Sequence, residues 1–497
     1  QPCVAARAQP ICTRRLERHG DCTLCSGLLG VFAFLALNLL AYFFAGTIKR
    51  RNVVLLLFSL IFYSWGGPKY LILLLGMTGI SWFCARKISG RDDKKGKKRW
   101  LAVECVLMLG LLGFFKYTGF FLENIQLLTG FPKVIPEIVL PIGISFYTFQ
   151  LLSYVVDVYR GEVEAQPKYW KLLLYSSLFH QCIAGPIVRY QTVEHEIEER
   201  KITYRDISDG VRRFSIGLAK KAILANSCAS VADTLLPAGL EGLQAASTAG
   251  LWLGMIFYMF QIYLDFSAYS DMAIGMGRMV GFHYLENFDY PYMAKSIQDF
   301  WRRWHISLST FFRDYVYIPL GGSRAGNLLT VRNMFCVWFL TGLWHGASWN
   351  YIFWGLYMFL FLMGERFIYG KALKKVPVVG HIYAVLAVLF GWVLFKFENL
   401  QQLGTVLAGM FGNGHVWMNT ETSILFKNNI FLLLFCIIAV TSLGKTFRSW
   451  WYRRADNVRK VPYGMLFLDM VTPVILLLLS VMALVGNSYN PFLYFQF

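Results

Sequence analysis

Residues 331–357 read VRNMFCVWFLTGLWHGASWNYIFWGLY, and this stretch decides the fold class. Between Met334 and Tyr357 it carries no acidic or basic residue apart from one histidine, and it is dense in aromatic and aliphatic side chains. A helix needs about 20 mostly apolar residues to cross the hydrocarbon core of a bilayer. The stretch therefore predicts membrane-embedded helix with one ionisable side chain, His345, inside it.

The rest of the chain has the same character. Of its 497 residues 56% are apolar and 15% are charged, whereas a soluble protein carries about 25% charged residues. These apolar runs predict an all-α polytopic membrane protein with roughly ten to thirteen transmembrane or re-entrant helices. The predicted spans are 25–46, 52–66, 69–85, 100–121, 136–158, 170–188, 246–268, 331–347, 350–368, 379–397, 426–444 and 464–487.

The basic residues indicate membrane orientation. A net charge of +19 would suit nucleic acid, but the cationic side chains stand in short runs between apolar segments, as orienting charges do. We therefore expect no nucleic acid partner. Loops 49–51 and 86–99 follow the first and third spans, and their lysines and arginines predict that both face the cytoplasm.

The amino-terminal residues differ from the remainder. Residues 1–24 are polar, rich in arginine and begin without methionine, so they are interpreted as a processed or expression-derived leader outside the fold. Cys22 and Cys25 have the spacing of a metal or redox pair, but no second pair or nearby histidine completes a site. We predict no metal centre.

Residues 296–315, SIQDFWRRWHISLSTFFRDY, predict an amphipathic helix. At about 100° per residue the aromatic and aliphatic side chains share one face and the polar ones share the other. Taken alone, the pattern favours a helix lying flat at the membrane interface, with its arginines among lipid headgroups. The alternative is a polar face that lines a cavity. The polar face holds Asp299, Arg302, His305, Ser309 and Arg313.

His345 is the strongest single candidate for chemistry. A polar ionisable group in an apolar helix is costly, and its default interpretation is functional. The structural alternative is an imidazole that a nearby carbonyl or Asn350 satisfies by hydrogen bonding. Gly342 and Gly346 would let a backbone or ligand approach closely. Apolar surroundings disfavour the imidazolium, so the neutral ring can accept a proton, as acyl transfer from a thioester to a hydroxyl requires.

Two further stretches carry polar residues. Residues 265–281, DFSAYSDMAIGMGRMVG, place Asp265 and Asp271 beside an apolar span. The pattern is equally compatible with two interpretations of these aspartates. They pair with Arg278 or an amide, or they have a role at the site. The glycine-rich residues 319–324, PLGGSR, favour a plain turn over a phosphate cradle.

Several long motifs recur in the order of one known family. They are DFSAYSDMAIGMGRMVGF, NFDYPYMAKSIQDFWRRWHISLSTFFRDYVYIPLGGSR and LTGLWHGASWNYIFWGLY, with RNVVLLLFSLIFYSWGGPKYL, VLPIGISFYTFQLLSYVVDVYRG and FHQCIAGPIVRY upstream. Together they closely resemble the membrane-bound O-acyltransferase (MBOAT) family, and within it the AlgI-type alginate O-acetyltransferases. The resemblance spans roughly residues 26–497. It implies one domain over 25–497, a ring of helices around a central tunnel, with a catalytic core at about 246–370.

The resemblance also implies roles for particular residues. His345 would be the base, and His305 a partner that orients donor or acceptor. We expect Arg302 and Arg303 to attract the donor's phosphates. The candidate substrate-binding residues are Arg302, Arg303, Asn350, Asp265 and Asp271.

The implied activity moves an acetyl group from a cytoplasmic thioester to an extracytoplasmic polysaccharide. Acetyl coenzyme A is the expected donor, with no tightly bound cofactor. The expected partners are the polymer, membrane lipids and an extracytoplasmic SGNH-hydrolase-like protein, at a bacterial inner membrane. Two alternatives stay open: DltB-like transfer of D-alanine to teichoic acid, and transport of polysaccharide or lipid-linked sugar. The lack of a visible internal repeat counts against transport.

Overall fold

In the computed structural model, helices joined by turns and irregular loops make up the part of the chain that it describes. That part comprises residues 23–65, 67–132, 134–136, 138–181, 185–324, 326–457 and 463–486. Every regular element in these ranges is a helix, so the predicted all-α class is confirmed. Six of the described helices are long and apolar enough to cross a membrane, and a bent pair makes a seventh if it counts as one span. The larger predicted total, which includes re-entrant helices, stays a prediction. Cys22 lies outside the described residues.

Local sequence signals mark the start of several helices in the first half of the chain. Pro68 starts a helix where its fixed φ suits the first turn. The carboxylate of Asp93 accepts a hydrogen bond from the backbone of Gly96, and Thr203 with Asp206 forms a capping box. The helices are α1 Thr23–Phe44, α2 Ile48–Trp65, α3 Pro68–Ser89, α4 Lys94–Thr129, α5 Ile144–Arg160, α6 Tyr169–Ser177, α7 Tyr190–Glu198 and α8 Tyr204–Ala219.

The second half contains several broken or bent helices. A π-helical segment, Lys220–Ala225, follows α8. Two later helices, Thr420–Asn428 and Ile430–Val440, meet at an angle of 58°. The helices are α9 Asn226–Leu235, α10 Leu240–Ala245, α11 Thr248–Met279, α12 Ile297–Arg303, α13 Ile306–Phe312, α14 Asn327–His345, α15 Trp349–Gly364, α16 Gly370–Lys375, α17 Pro377–Lys396, α18 Leu400–Met410, α19 Thr420–Asn428, α20 Ile430–Val440, α21 Leu443–Asn457 and α22 Tyr463–Gly486.

The prediction of one continuous helix over residues 296–315 is wrong. α12 ends at Arg303 and α13 begins at Ile306, because His305 adopts a left-handed backbone conformation with φ 45°. A non-glycine residue there costs about 1–3 kcal/mol and persists only when its surroundings fix it. An adjacent loop supplies that support, since the Arg303 carbonyl accepts from the Asp289 backbone at 3.0 Å and the Asn287 carbonyl accepts from Ile306 at 2.9 Å.

α11 is longer than the predicted span over 246–268. It continues to Met279, past two aspartates that would be costly in lipid. Both carboxylates are buried inside the protein and meet cations of the preceding π-helical segment, Asp265 with Lys221 and Asp271 with Lys220. The ion pairs explain why the helix extends beyond the apolar run.

Buried apolar side chains form two clusters, which meet at the segment from α12 to α15. The first cluster draws mainly on α2 to α7 and includes Trp344 and Phe311. The second draws on α9, α11, α15 and α17 and includes Trp304, Trp354 and Phe395. α14 contributes to both clusters, while α13 belongs to the first and α12 and α15 belong to the second, so this segment lies at their junction.

One end of the helices carries the basic loops, and we call it the basic face. It is defined by residues 49–51 and 86–99, where α2 and α4 begin. Asn52 at the start of α2 donates to the Ile197 carbonyl at 2.7 Å, and Arg200 donates to the Val280 carbonyl at 2.9 Å. The ends of α7 and α11 therefore also lie at the basic face.

Candidate functional site

His345 stands at the end of a helix rather than in its middle. α14 ends at this residue, the backbone becomes extended at Gly346, and α15 begins at Trp349. The ring of Tyr351 packs directly against Gly346, where a Cβ would collide with it. The turn that places His345 therefore requires the smallest residue immediately after it.

Two glycines bring α14 and α15 into close contact. A Cβ on Gly342 would collide with the Tyr351 carbonyl, and a Cβ on Gly355 would collide with the Trp338 carbonyl. The two helices therefore pack backbone against backbone, as small residues allow in membrane proteins. This packing fixes the end of α14, and with it the position of His345.

Aromatic rings surround the His345 imidazole. Its ring centroid lies 4.9 Å from Trp344, 4.9 Å from Trp354 and 5.2 Å from Phe395, all nearly edge-on. The side chain is 9% exposed. Asn350, the alternative partner, instead donates to the Phe395 carbonyl at 3.0 Å. The three aromatic rings limit the rotation of the imidazole and its access to water. Among the described contacts, Asn350 makes no hydrogen bond with His345.

Two neighbouring residues of α4 satisfy the carbonyls at the end of α14. The Lys116 ammonium donates to the Trp344 carbonyl, and the Tyr117 hydroxyl donates to the Leu343 carbonyl at 2.7 Å. The last carbonyls of a helix have no partner within it. α4 therefore completes the hydrogen bonding of the helix turn that carries His345.

His305 occupies the break between α12 and α13 and is 2% exposed. Its Nδ1 lies 3.5 Å from the Ser307 hydroxyl, and its ring lies 6.2 Å from the Phe288 centroid. Ser307 in turn donates to the Asn287 amide oxygen at 2.9 Å and accepts from the Ile187 backbone at 3.0 Å. These contacts orient an imidazole that helical periodicity placed on a polar face.

The structure brings the two predicted histidines together. Both face the indole of Trp344, whose ring centroid lies 5.8 Å from His305 and 4.9 Å from His345. Two imidazoles beside one indole at the junction of the apolar clusters are suited to accepting a proton and to holding a reacting group.

A cavity of about 860 Å³ opens beside His305. Asn287, Phe288 and Ile306, which contact or adjoin His305, are among the residues that line it. Phe282 also lines it and lies 4.6 Å from the Arg200 guanidinium, so the cavity extends to the basic face. Its charged lining residues are Arg212, Arg213, Lys220, Arg278, Lys445, Arg448, Asp209, Asp271, Glu286 and Asp289.

The two arginines predicted to bind phosphate have different surroundings. Arg302 is exposed and makes no ion pair with a described residue. Arg303 pairs with Asp299 at 3.1 Å and Asp289 at 3.6 Å, and so stabilises the loop beside the break. Neither side chain is among the described residues that line the cavity.

The two aspartates of α11 make ion pairs within the protein. Asp265, 1% exposed, lies 2.8 Å from Lys221. Asp271 lies 2.6 Å from both Lys220 and Arg213, and it lines the cavity. The partner suggested by sequence, Arg278, instead pairs with residues of α8.

Sequence reasoning missed two residues that support the site. Lys116 lies in the apolar run FFKYTGFF. The free-energy cost of a charged side chain in a membrane identifies it as a candidate functional residue by the same argument that identified His345. Asn287 precedes the amphipathic stretch in an ordinary loop, and no local pattern marks it. Among the described residues no group of three His, Cys, Asp or Glu side chains is placed to hold a metal ion.

Comparisons with known proteins agree with this architecture. A sequence profile of the membrane-bound O-acyltransferase family matches residues 160–404. The chain is 37% identical over 484 residues to a protein of Pseudomonas putida described as an alginate O-acetylase, AlgI, covering 94% of this chain and 98% of that one. It is 36% identical over 420 residues to a peptidoglycan O-acetyltransferase of Helicobacter pylori, covering 77% and 79%.

A more distant similarity covers less of the chain. The teichoic acid D-alanyltransferase of Bacillus subtilis is 29% identical over 274 residues, which is 51% of this chain and 68% of that protein. The O-acetylating relatives match at higher identity and over more of their length. The chain therefore belongs to the membrane-bound O-acyltransferase family and is an acyltransferase.

Proposed function

We propose that this enzyme moves an acetyl group from a cytoplasmic thioester through the membrane for O-acetylation of an extracytoplasmic polysaccharide. The observation that carries the proposal is the pair of histidines at the cluster junction, one of which adjoins a cavity open to the basic face. The relatives described as an alginate O-acetylase and a peptidoglycan O-acetyltransferase support an acetyl group and a polymer acceptor.

The chemistry assigned to the site is acyl transfer with general base catalysis. The neutral His345 imidazole accepts the hydroxyl proton as the acceptor oxygen attacks the thioester carbonyl carbon. The carbon–oxygen bond forms, the carbon–sulfur bond breaks, and the departing thiolate takes up the proton from the imidazolium. His305 lies beside the cavity of about 860 Å³, which we call the donor cavity. It orients the thioester as the bonds form and break.

The donor cavity suits a phosphate-bearing thioester such as acetyl coenzyme A. Its lining holds six cationic and four anionic side chains, an excess of positive charge. Several of the cations are engaged, but Lys445 is exposed and makes no ion pair with a described residue. An ammonium there would attract the phosphates without first breaking a salt bridge.

The remaining steps concern the far side of the membrane. The cytoplasmic orientation of the basic face follows from its lysines and arginines, and a bacterial inner membrane suits the relatives' polymers. An SGNH-hydrolase-like partner would receive the acetyl group and modify the polymer. Deleting this partner should abolish polymer acetylation while slow hydrolysis of the donor by the membrane enzyme persists.

The donor assay uses purified enzyme in detergent or nanodiscs with labelled acetyl coenzyme A. We expect turnover with acetyl coenzyme A and none with a D-alanyl carrier protein. Lys445→Gln should raise the donor KM about tenfold, the loss of one charge-assisted contact, while Lys427→Gln, a lysine outside the cavity lining, should not. Turnover with the D-alanyl carrier alone would assign teichoic acid chemistry instead. Polymer movement without ester formation would favour transport.

A further inference from the structure

Lys116 places an ammonium group deep in a membrane-spanning helix, next to the candidate base. It lies in α4, which is among the helices able to cross a membrane. Its side chain is partly buried and donates to the carbonyl of Trp344, the residue immediately before His345. No carboxylate pairs with it among the described residues, although an ion in the bilayer is costly without compensation.

A helix cap alone does not account for this charge. Tyr117, the next residue, caps the neighbouring Leu343 carbonyl at 2.7 Å with a neutral hydroxyl. Two consecutive carbonyls at the end of α14 thus receive one neutral donor and one cationic donor. The negative end of a helix dipole stabilises a cation, which makes Lys116 tolerable there but does not require it.

The ammonium lies beside the His345 backbone, because the Trp344 carbonyl that it contacts is bonded to the His345 nitrogen, and it lies 5.8 Å from the centroid of the Trp344 ring. The titratable groups around this imidazole are Lys116 from α4, His305 from the α12–α13 break and the phenol of Tyr351, which packs on the following glycine. From α15 and α17 the facing groups are the rings of Trp354 and Phe395, which do not titrate. Of these titratable groups, Lys116 is the one whose ordinary protonated form is a cation near neutral pH.

We propose that Lys116 is a positioning residue that keeps His345 neutral and fixes the helix end that carries it. A nearby cation disfavours a second positive charge on the imidazole, so the base stays unprotonated under mildly acidic conditions outside the cell. The same charge hastens return of the proton from the imidazolium to the leaving thiolate. The inference rests on the proposed function only in taking His345 as the base.

Three variants separate charge from capping. Lys116→Met removes the cation and keeps most of the side-chain volume, Lys116→Arg keeps the cation, and Tyr117→Phe removes the neighbouring neutral cap. The acid limb of the pH–rate profile reports how readily the base protonates. In Lys116→Met we expect this limb to move upwards by about one pH unit and kcat to fall about tenfold or more, with donor KM unchanged.

Lys116→Arg should restore the acid limb, and Tyr117→Phe should leave it in place while lowering thermal stability. An unmoved acid limb in Lys116→Met, or an equal shift in Tyr117→Phe, would overturn the proposal and leave a simple cap. Carbethoxylation of His345 by diethyl pyrocarbonate, followed by mass spectrometry against pH, gives a readout that needs no turnover. If the enzyme turns over no acetyl donor, the proposed function fails, yet the labelling profile still decides the role of Lys116.

Discussion

The hydroxyl of Ser307 donates to the side-chain oxygen of Asn287 at 2.9 Å, and this contact ties the helix break at His305 to the adjacent loop. The same oxygen accepts from the Ser307 backbone at 3.2 Å, while the Asn287 amide nitrogen donates to Ser270 of α11 at 3.1 Å. One buried asparagine therefore links a loop, a break and a long helix. The conformation of His305 therefore depends on the loop and on α11 as well as on the helix break in which it lies.

We predict that Asn287→Ala impairs acyl transfer more than it impairs folding. Each unsatisfied buried group costs about 1–3 kcal/mol, and the freed break would let His305 leave its left-handed conformation. We expect kcat to fall about 10²-fold, with insertion intact and a modest loss of melting temperature. Ser307→Ala should have a smaller effect in the same direction. Ser309→Ala, a partly buried serine two residues further along α13, is the control, and equal losses in all three variants would contradict this account.

The role of His345 is tested by two substitutions with opposite structural demands. Glutamine preserves hydrogen bonding but cannot act as a base near neutral pH, whereas alanine removes both. If His345 is the base, both variants should lose polymer acylation by about 10²–10⁴-fold with near-normal detergent stability. Ester content of the polymer and the melting temperature are measured together. An active, well-folded His345→Gln enzyme would falsify the catalytic assignment.

The buried pair Asp265–Lys221 predicts a loss of stability rather than of binding. Asp265→Asn would replace the carboxylate that faces the buried Lys221 ammonium by a neutral amide and so break the buried ion pair, at a cost of about 3–5 kcal/mol. Asp233→Asn, which breaks a more exposed pair with Lys396 at 3.2 Å, should cost less than about 1 kcal/mol. Thermal unfolding in detergent gives the comparison. A stable Asp265→Asn protein with a raised donor KM would instead favour the substrate-binding role.

Membrane orientation is open to a labelling test. In a background without native cysteines, Lys95→Cys at the basic face should resist a membrane-impermeant maleimide applied to intact cells. Thr129→Cys, at the opposite end of α4, should react. Both should react after permeabilisation, which controls for accessibility. Rapid labelling of Lys95→Cys from outside would reverse the predicted topology, and with it the side from which the donor enters.

The sequence identified the apolar elements and the central histidine because both follow from the cost of polar groups in a bilayer. The spans of α14, α15 and α17 were predicted to within a few residues, and His345 stood out as an ionisable side chain in an apolar run. The predicted span 331–347 runs two residues past the observed helix end at His345, because the following glycine is compatible with both a helix and a turn until Tyr351 packs against it.

What escaped prediction depends on contacts distant in sequence. Periodicity assumes an unbroken helix, whereas the break at His305 is held by hydrogen bonds that Ser307 donates to the side-chain oxygen of Asn287, a loop residue earlier in the chain. Likewise Asp271 had Arg278 as its nearest basic residue in sequence, yet its partner Lys220 stands 51 residues away. Local patterns contain no information about which helices will be neighbours.

The capping of α14 by α4 also constrains how the enzyme is made. Lys116 and Tyr117 precede the carbonyls that they satisfy by 228 and 226 residues. During synthesis α4 therefore enters the bilayer before the carbonyl that Lys116 binds has been made. More than two hundred further residues must emerge from the ribosome before that hydrogen bond can form. Assembly of the candidate site is consequently a late event, and a truncated polypeptide that stops before α14 would present an uncompensated lysine to the insertion machinery and to membrane quality control.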